Sequence, residues 1–329
     1  MKQAALNRIR KVVGSFRKKK ILIIGDLILD EFIWGDVSRI SPEAPVPVVW
    51  VKRESFMPGG SCNVANNISA LGGKAYLAGL IGNDMMAAVL RQELERSGID
   101  TSGVISDDGR PTTVKTRIVA QHQQVVRIDR ERIEPIHDSL LERVVDQVKK
   151  VLKEIDAVII EDYGKGVITP RLLKQIVPLA RSLKKIIAVD PKEEHFRYYR
   201  GISLITPNLI EASRAVKFTI ESDADLDRAG KKILSMLQCD TALVTMGEKG
   251  IRVFQKGRAP KQIPTVAQEV YDVSGAGDTI IGTFTLALSS GAGTIEAARI
   301  ANCAAGIVVG KLGTAVVTPD ELIDKIRWS

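Results

Sequence analysis

Cysteine and long apolar runs are scarce in this sequence, and each shortage excludes something. The three cysteines, Cys62, Cys239 and Cys303, are odd in number, far apart and without a CxxC pair. Neither a disulfide framework nor a thiolate zinc site is expected, and the three read as small buried residues. No apolar run approaches the roughly 20 residues that cross a bilayer, and the N-terminus lacks the uninterrupted apolar stretch of a signal peptide. A cytoplasmic protein without membrane insertion is the expectation. Internal repeats, low-complexity tracts and Gly/Ser linkers are absent too, so no flexible boundary divides the chain. There is no GxxxxGK[ST], which excludes a P-loop. There is no GxGxxG either, because Ile280 stands where a third glycine should follow Gly275 and Gly277.

Acids are missing from one stretch. Residues 1–20 hold eight of the 47 Lys and Arg (Lys2, Arg8, Arg10, Lys11, Arg17, Lys18, Lys19, Lys20) and none of the 39 Asp and Glu, so the net charge of +8 sits there and the rest balances at 39 of each sign. Leu6, Ile9, Val13 and Phe16 recur at helical spacing. They predict an amphipathic helix lying on the body or on a partner subunit, its basic face solvated, in preference to a nucleic-acid or membrane-surface role. Residues 21–329 read as one domain, since 45% hydrophobic and 26% charged is ordinary globular composition.

What is present is alternation. Short apolar runs closed by Gly, Asp or Asn recur as ILIIGD (21–26), AYLAGLIG (75–82), DAVIIED (156–162), KIIAVDP (185–191), ISLITPN (202–208) and TALVTMG (241–247). They suit strands buried on both faces. Helix-patterned stretches at 61–71, 84–96, 137–153, 170–182, 223–237, 276–290 and 294–308 lie between or after them, which predicts an α/β sandwich around a mostly parallel sheet. Ligands of such sheets gather at the carboxyl ends of the strands. EFIWGD (31–36), PVPVVWVKRE (45–54) and TTVKTRIVAQHQQVVRIDR (112–130) alternate instead, like half-exposed strands. They predict a small second sheet from about 31–54 and 112–130, serving as a lid, an oligomer surface or both.

One stretch carries the chemistry. In YDVSGAGDTIIG (271–282), Gly275, Ala276 and Gly277 open a helix whose unpaired N–H groups and bare backbone let an anionic oxygen approach closely. Asp278 beside them would repel a resting phosphate but can accept a proton from a hydroxyl attacking it. Base plus anion hole is the division of labour that phosphoryl transfer needs. An isolated aspartate there would read as a helix cap.

The D-x-x-G-A-G-D turn resembles the C-terminal signature of the ribokinase-like carbohydrate kinases, and PGGSCNVANNISALGG (58–73) resembles their N-terminal signature. The resemblance implies a ribokinase-like three-layer sandwich with a small β-sheet lid, and ATP and Mg2+ as cofactors. It implies sugar binding by Asp30, Gly59, Gly60 and Asn63. TPNLIEAS (206–213) is similar to the family's Asn-x-x-Glu motif, so Asn208 and Glu211 are expected to order the magnesium through water. TMGEKG (245–250) looks like the nucleotide loop, with Thr245, Gly247 and Gly250 along the nucleotide and Asn302 at the adenine. Potassium activation, through carbonyls near Asp272 and Gly310–Val317, is common in the family.

A narrower resemblance covers nearly the whole chain after residue 20. GDLILDEFIWGDVSRISPEAPVPVV, EDYGKG, VDPK, AQEVYDVSGAGDT and VVGKLGT are similar to the heptose 7-phosphate kinase branch. This implies phosphorylation at C1 of D-glycero-D-manno-heptose 7-phosphate, in ADP-heptose synthesis for lipopolysaccharide core, and a homodimer through the lid strands. His122, His137 and His195 form no HxGH nucleotidyltransferase motif, so a separate protein is expected to carry out the adenylyl transfer. Strand alternation puts Lys115 and Arg117 on one face with Arg127 on the returning strand, a cation cluster suited to the C7 phosphate. Lys165 and Lys192, both just after strand ends, are further candidates. At the hairpin tip Gln121 and His122 replace an Arg-Asn pair of the relatives, so a basic contact there is expected to be missing or moved. Two alternatives stay open: a ribokinase-like kinase of another sugar, sugar phosphate or nucleoside, and a catalytically silent sugar sensor.

Overall fold

The computed structural model describes residues 2–121, 123–267 and 270–328. In chain order the elements are α1 (Lys2–Gly14), β1 (Lys20–Gly25), β2 (Leu27–Ile40), β3 (Pro47–Gly60), α2 (Ser61–Ala70), β4 (Lys74–Ile81), α3 (Met85–Arg96) and β5 (Asp100–Ser106). Next come β6 (Thr113–Ala120), β7 (Gln123–Arg130), α4 (Asp138–Leu152), β8 (Ala157–Glu161), α5 (Pro170–Ser182), β9 (Ile186–Asp190), β10 (Leu204–Ile205), α6 (Leu209–Val216) and α7 (Asp223–Leu237). The chain closes with β11 (Thr241–Thr245), β12 (Ile251–Gln255), β13 (Lys261–Ile263), α8 (Ala276–Ser289), α9 (Thr294–Val308) and α10 (Pro319–Trp328).

Nine strands form the central sheet in the order β13-β12-β11-β10-β9-β8-β1-β4-β5. It is parallel from β11 through β5, and β12 and β13 add to it antiparallel. The apolar runs are strands for the reason their composition gives: Ile21 and Ile23 of β1 point into one core, Leu22 and Ile24 into the other. The first core is closed by α2, α3, α8 and α9, the second by α4, α5, α6 and α7. The molecule is therefore a three-layer sandwich. No helix among the described residues is long and apolar enough to cross a membrane.

The second sheet runs β3-β2-β6-β7, with β2 and β6 parallel and the outer pairs antiparallel. Pro47 opens β3, an edge strand where its missing N–H costs no ladder bond. Its strands run past the expected limits, since β2 starts at Leu27 and β3 ends at Gly60, which carries the lid into the body. Gln121 turns the hairpin at φ 50°, and His122 lies outside the described residues. Helix α1 lies on the body. Val12, Val13 and Phe16 enter the first core, α1 packs against α10, and Arg8 donates to both oxygens of Glu296 at 2.9 and 3.0 Å.

Candidate active site

Strand β1 marks the point where the chain switches sides, with β4 and β5 to one flank and β8 through β11 to the other. A crevice opens at the carboxyl ends of strands at such a point. Here those ends carry Asp26, Glu161 with Asp162, and Asp190. Helix α8 enters over them, with Gly275 at φ 76° as its N-cap residue. Besides its conformation, Gly275 is required because a β-carbon would collide with the Asn63 amide. At Gly277 a β-carbon would meet only Asp190 Oδ2, at 3.9 Å, so this glycine faces the crevice.

Asp278, in the first turn of α8, is 4% exposed and held at both oxygens. Asn63 Nδ2 donates to Oδ2 at 2.6 Å and the Tyr163 hydroxyl donates to Oδ1 at 2.8 Å. Asn63 is oriented in turn by Asn67, whose Nδ2 donates to Asn63 Oδ1 at 3.1 Å. Burial pushes the Asp278 carboxyl up to about 6 against the pull of these two donors. Glu161, Asp190 and Asp278 bring carboxyl oxygens within 4.8 Å of one another. Among the described residues no N–H or hydroxyl donates to either Glu161 oxygen, although the residue is fully buried, and the group it faces is the Asp190 carboxyl. Burial and then the neighbouring acids push Glu161 well up, and burial with the Glu211 charge raises Asp190 to about 8. Three crowded acids either share protons or neutralise a cation, and the orphaned Glu161 oxygens fit a hard divalent ion.

The nucleotide-side residues lie along the same rim. Asn208 caps α6, its Oδ1 accepting from the Ile210 and Glu211 N–H groups at 2.9 Å, while Glu211 Oε2 accepts from the Asn208 N–H at 2.9 Å. Burial raises the Glu211 carboxyl. Asn208 bridges to Thr245 at the end of β11, and Gly247 (φ 57°) and Gly250 (φ 83°) bound a single tight turn after it. Asn302 donates to the Pro264 carbonyl at 2.7 Å, fixing the segment that leaves β13. The two segments expected to hold potassium also meet: Asp272 Oδ2 accepts from the Gly313 N–H at 3.1 Å.

On the lid side, Arg117 Nη1 donates to Asp30 Oδ1 at 2.5 Å. A β-carbon on Gly59 would strike Asp30 Oδ2, and Gly60 (φ 54°) leads into the helix that carries Asn63. Lys115 and Arg117 share a face as the alternation predicts, and Arg117 sits opposite Arg127. Acids share that face, however. Lys115 pairs with Asp129 at 3.2 Å and Glu131 at 3.6 Å, Arg127 with Asp129 at 2.9 Å, and Lys165 with Glu131 at 2.6 Å. Lys192 lies off the lid, its stem packed on Gly164 beside Tyr163, its ammonium 3.9 Å from Glu194 and near enough to Glu211 to oppose the rise of that carboxyl.

The pfkB family carbohydrate kinase profile matches residues 18–321. The chain belongs to that family. This pfkB kinase is a phosphotransferase with an alcohol group as acceptor. It is 42% identical over 318 residues to the Bifunctional protein HldE of Wolinella succinogenes, covering 97% of this chain and 67% of that one. With the protein of the same name from Helicobacter hepaticus it shares 43% over 311 residues, covering 94% and 64%. The chain thus spans about two thirds of the length of these relatives. The fold is ribokinase-like: Arabidopsis thaliana ribokinase complexed with ribose and ATP superposes with a TM-score of 0.75 at 20% identity over 94% of this chain and 99% of that one. Escherichia coli phosphofructokinase-2 in complex with substrates and products does so with a TM-score of 0.79 at 19% identity, over 94% and 99%.

Within this pfkB kinase the structure joins Asn63 to Asp278, Asp30 to Gly59 and Arg117, and Asn208 to Glu211 and Thr245. Sequence reasoning missed Glu161, Asp190 and Tyr163. The signal was there in part, because VIIED and IIAVDP both end a buried strand on an acid, and acids at adjacent parallel strand ends converge.

Proposed function

We propose that this kinase transfers the γ-phosphoryl group of ATP to the C1 hydroxyl of D-glycero-D-manno-heptose 7-phosphate, giving the 1,7-bisphosphate for ADP-heptose synthesis. The observation that carries phosphoryl transfer is Asp278, buried at the mouth of α8 with both oxygens held and a bare glycine turn beside it. The heptose is supported by the SRISPEAPVPVV run and the HldE relatives, and the second phosphate by the lid cations. Asp278 takes the proton of the C1 hydroxyl as its oxygen attacks. N–H groups of Gly275 and Gly277 face the charge that gathers on the transferring group, while the Ala276 N–H, which donates to the Val273 carbonyl at 3.2 Å, holds the turn. Asp30, Gly59, Gly60 and Asn63 orient the sugar, while Thr245, Gly247, Gly250 and Asn302 line the nucleotide. Glu161, Asp190, Asn208 and Glu211 would hold Mg2+, which neutralises phosphate charge when bound. Asp272 with Gly310–Val317 is the potassium site of this reading, and the lid edges β3 and β7 form its homodimer contact. The adenylyl transfer that follows falls to a nucleotidyltransferase, in the relatives' unmatched third or in a separate chain.

Asp278→Asn tests the assignment. It should bind ATP and sugar as the wild type does while kcat falls by roughly 10²–10⁴-fold. Near-normal turnover in the folded variant would remove Asp278 as base. A turnover assay across heptose 7-phosphate, heptose, fructose 6-phosphate, ribose and adenosine tests the substrate, and an equal or higher kcat/KM on any other acceptor overturns the heptose.

A further inference from the structure

We propose that Tyr163 is the positioning residue of the catalytic base, and that the 162–167 loop is built to present its hydroxyl. This rests on Asp278 being the base. A carboxylate needs its reacting lone pair aimed at the hydroxyl it deprotonates, and each oxygen has two lone pairs. Asn63 occupies one on Oδ2 and the Tyr163 O–H one on Oδ1. Together they stop the carboxylate from rotating and leave a lone pair on each oxygen for substrate. Hydrogen bonds to an ionised acceptor are also the strong ones, so the phenol helps keep a buried carboxylate charged.

The loop's construction argues that this contact is its purpose. Asp26, 1% exposed at the end of β1, accepts three backbone N–H groups from it: Tyr163 at 2.9 Å and Lys165 at 3.0 Å on Oδ2, Val167 at 3.1 Å on Oδ1. Burying a carboxylate is costly without such donors, and here all of its backbone donors in that loop serve one path. Gly166 holds φ 94°, and a β-carbon there would collide with the Glu134 carbonyl. From the other side, Asp162 accepts from the Gly164 N–H at 2.8 Å and from the Tyr199 hydroxyl at 2.5 Å. A loop fixed at so many points can hold one phenolic oxygen against one carboxylate oxygen.

Tyr163→Phe keeps the ring and removes the hydrogen bond. We expect kcat to fall roughly ten- to a hundred-fold, the range for a lost charge-assisted hydrogen bond, with KM for ATP and sugar phosphate within about twofold and the folded state retained, its melting temperature lower by no more than a few degrees. In an Asp278→Asn background the same substitution should change kcat by less than about twofold, because two residues acting as one unit are not additive. Asp26→Asn, which puts an amide donor where N–H groups need an acceptor, should lower kcat similarly and add little to Tyr163→Phe. Equal losses in both backgrounds, or wild-type turnover for Tyr163→Phe, overturn the proposal. Failure of the underlying reading looks different: Asp278→Asn alone would then turn over normally.

Discussion

Arg117 and Arg127 face each other across the lid, yet their surroundings give them different work. Asp30 is buried, and burial raises its carboxyl even with Arg117 alongside. Arg117→Ala would strand that carboxylate, and breaking a buried pair is more damaging than the pair itself is stabilising. We therefore expect Arg117→Ala to raise KM for phosphorylated and unphosphorylated heptose together, with KM for ATP unchanged. The Arg127 side chain is 51% exposed and, among the described residues, its ion pair is with Asp129, so it can swing to a ligand phosphate. Arg127→Ala should raise KM for the 7-phosphate alone and narrow the preference over free heptose. Steady-state kinetics on the two sugars decide it, and full discrimination in both Arg127→Ala and Lys115→Ala would take the phosphate away from the lid. That these cations share a face was legible from strand alternation alone. It could not show Asp30, Asp129 and Glu131 on the same face, because those pairings depend on strand register.

Among the elements, the nucleotide loop is the most constrained by its backbone. Gly250 holds φ 83°, and a β-carbon would drive into the Ile263 carbonyl on β13. Gly250→Ala should therefore lower the melting temperature and raise KM for ATP while leaving KM for sugar nearly unchanged; an equal effect on both substrates would mean the loop does not serve the nucleotide. Gly277→Ala, by contrast, meets only Asp190 Oδ2 and should fold normally. The buried parallel strands and their helices were legible because each is an uninterrupted apolar run or a 3.6-residue pattern; α5, α7 and α9 fall on the expected limits. Strands β5, β12 and β13, and helix α10, were not read. Strands β5 and β13 are sheet edges and α10 closes the chain, where the apolar signal thins, while β12 lies between β11 and β13 but its IRVFQ is too short and too broken by Arg252 to read as an apolar run. Strand β10 shrank to two residues because ISLITPN leaves the ladder early to reach Asn208. The carboxylate cluster was illegible for a different reason. Its acids were visible as strand endings, but their meeting requires the order β9-β8-β1, which no local pattern specifies.

For the whole molecule, the crowded acids tie stability to pH and to cations. Asp190 is pushed up to about 8 and Asp278 to about 6, while the unfolded chain would titrate both near 3.8. Between those values the folded state binds more protons than the unfolded one, so stability must fall as pH rises through about 4 to 8. A divalent ion on the same carboxylates offsets the repulsion, and it competes with protons for them. We expect the melting temperature without Mg2+ to be lower at pH 8 than at pH 5, and Mg2+ to raise it more at pH 8. Differential scanning calorimetry at both values, with and without Mg2+, measures this; an equal Mg2+ shift at the two values would mean the ion sits elsewhere.

The contact between α1 and α10 has a consequence for how the chain can be extended. First and last helices share one side of the body, clamped by Val12, Val13, Phe16 and Leu322 in a common core. Cargo fused ahead of the one or behind the other would hang from the same mooring. Moving it from front to back would reverse its connectivity and scarcely alter its leash.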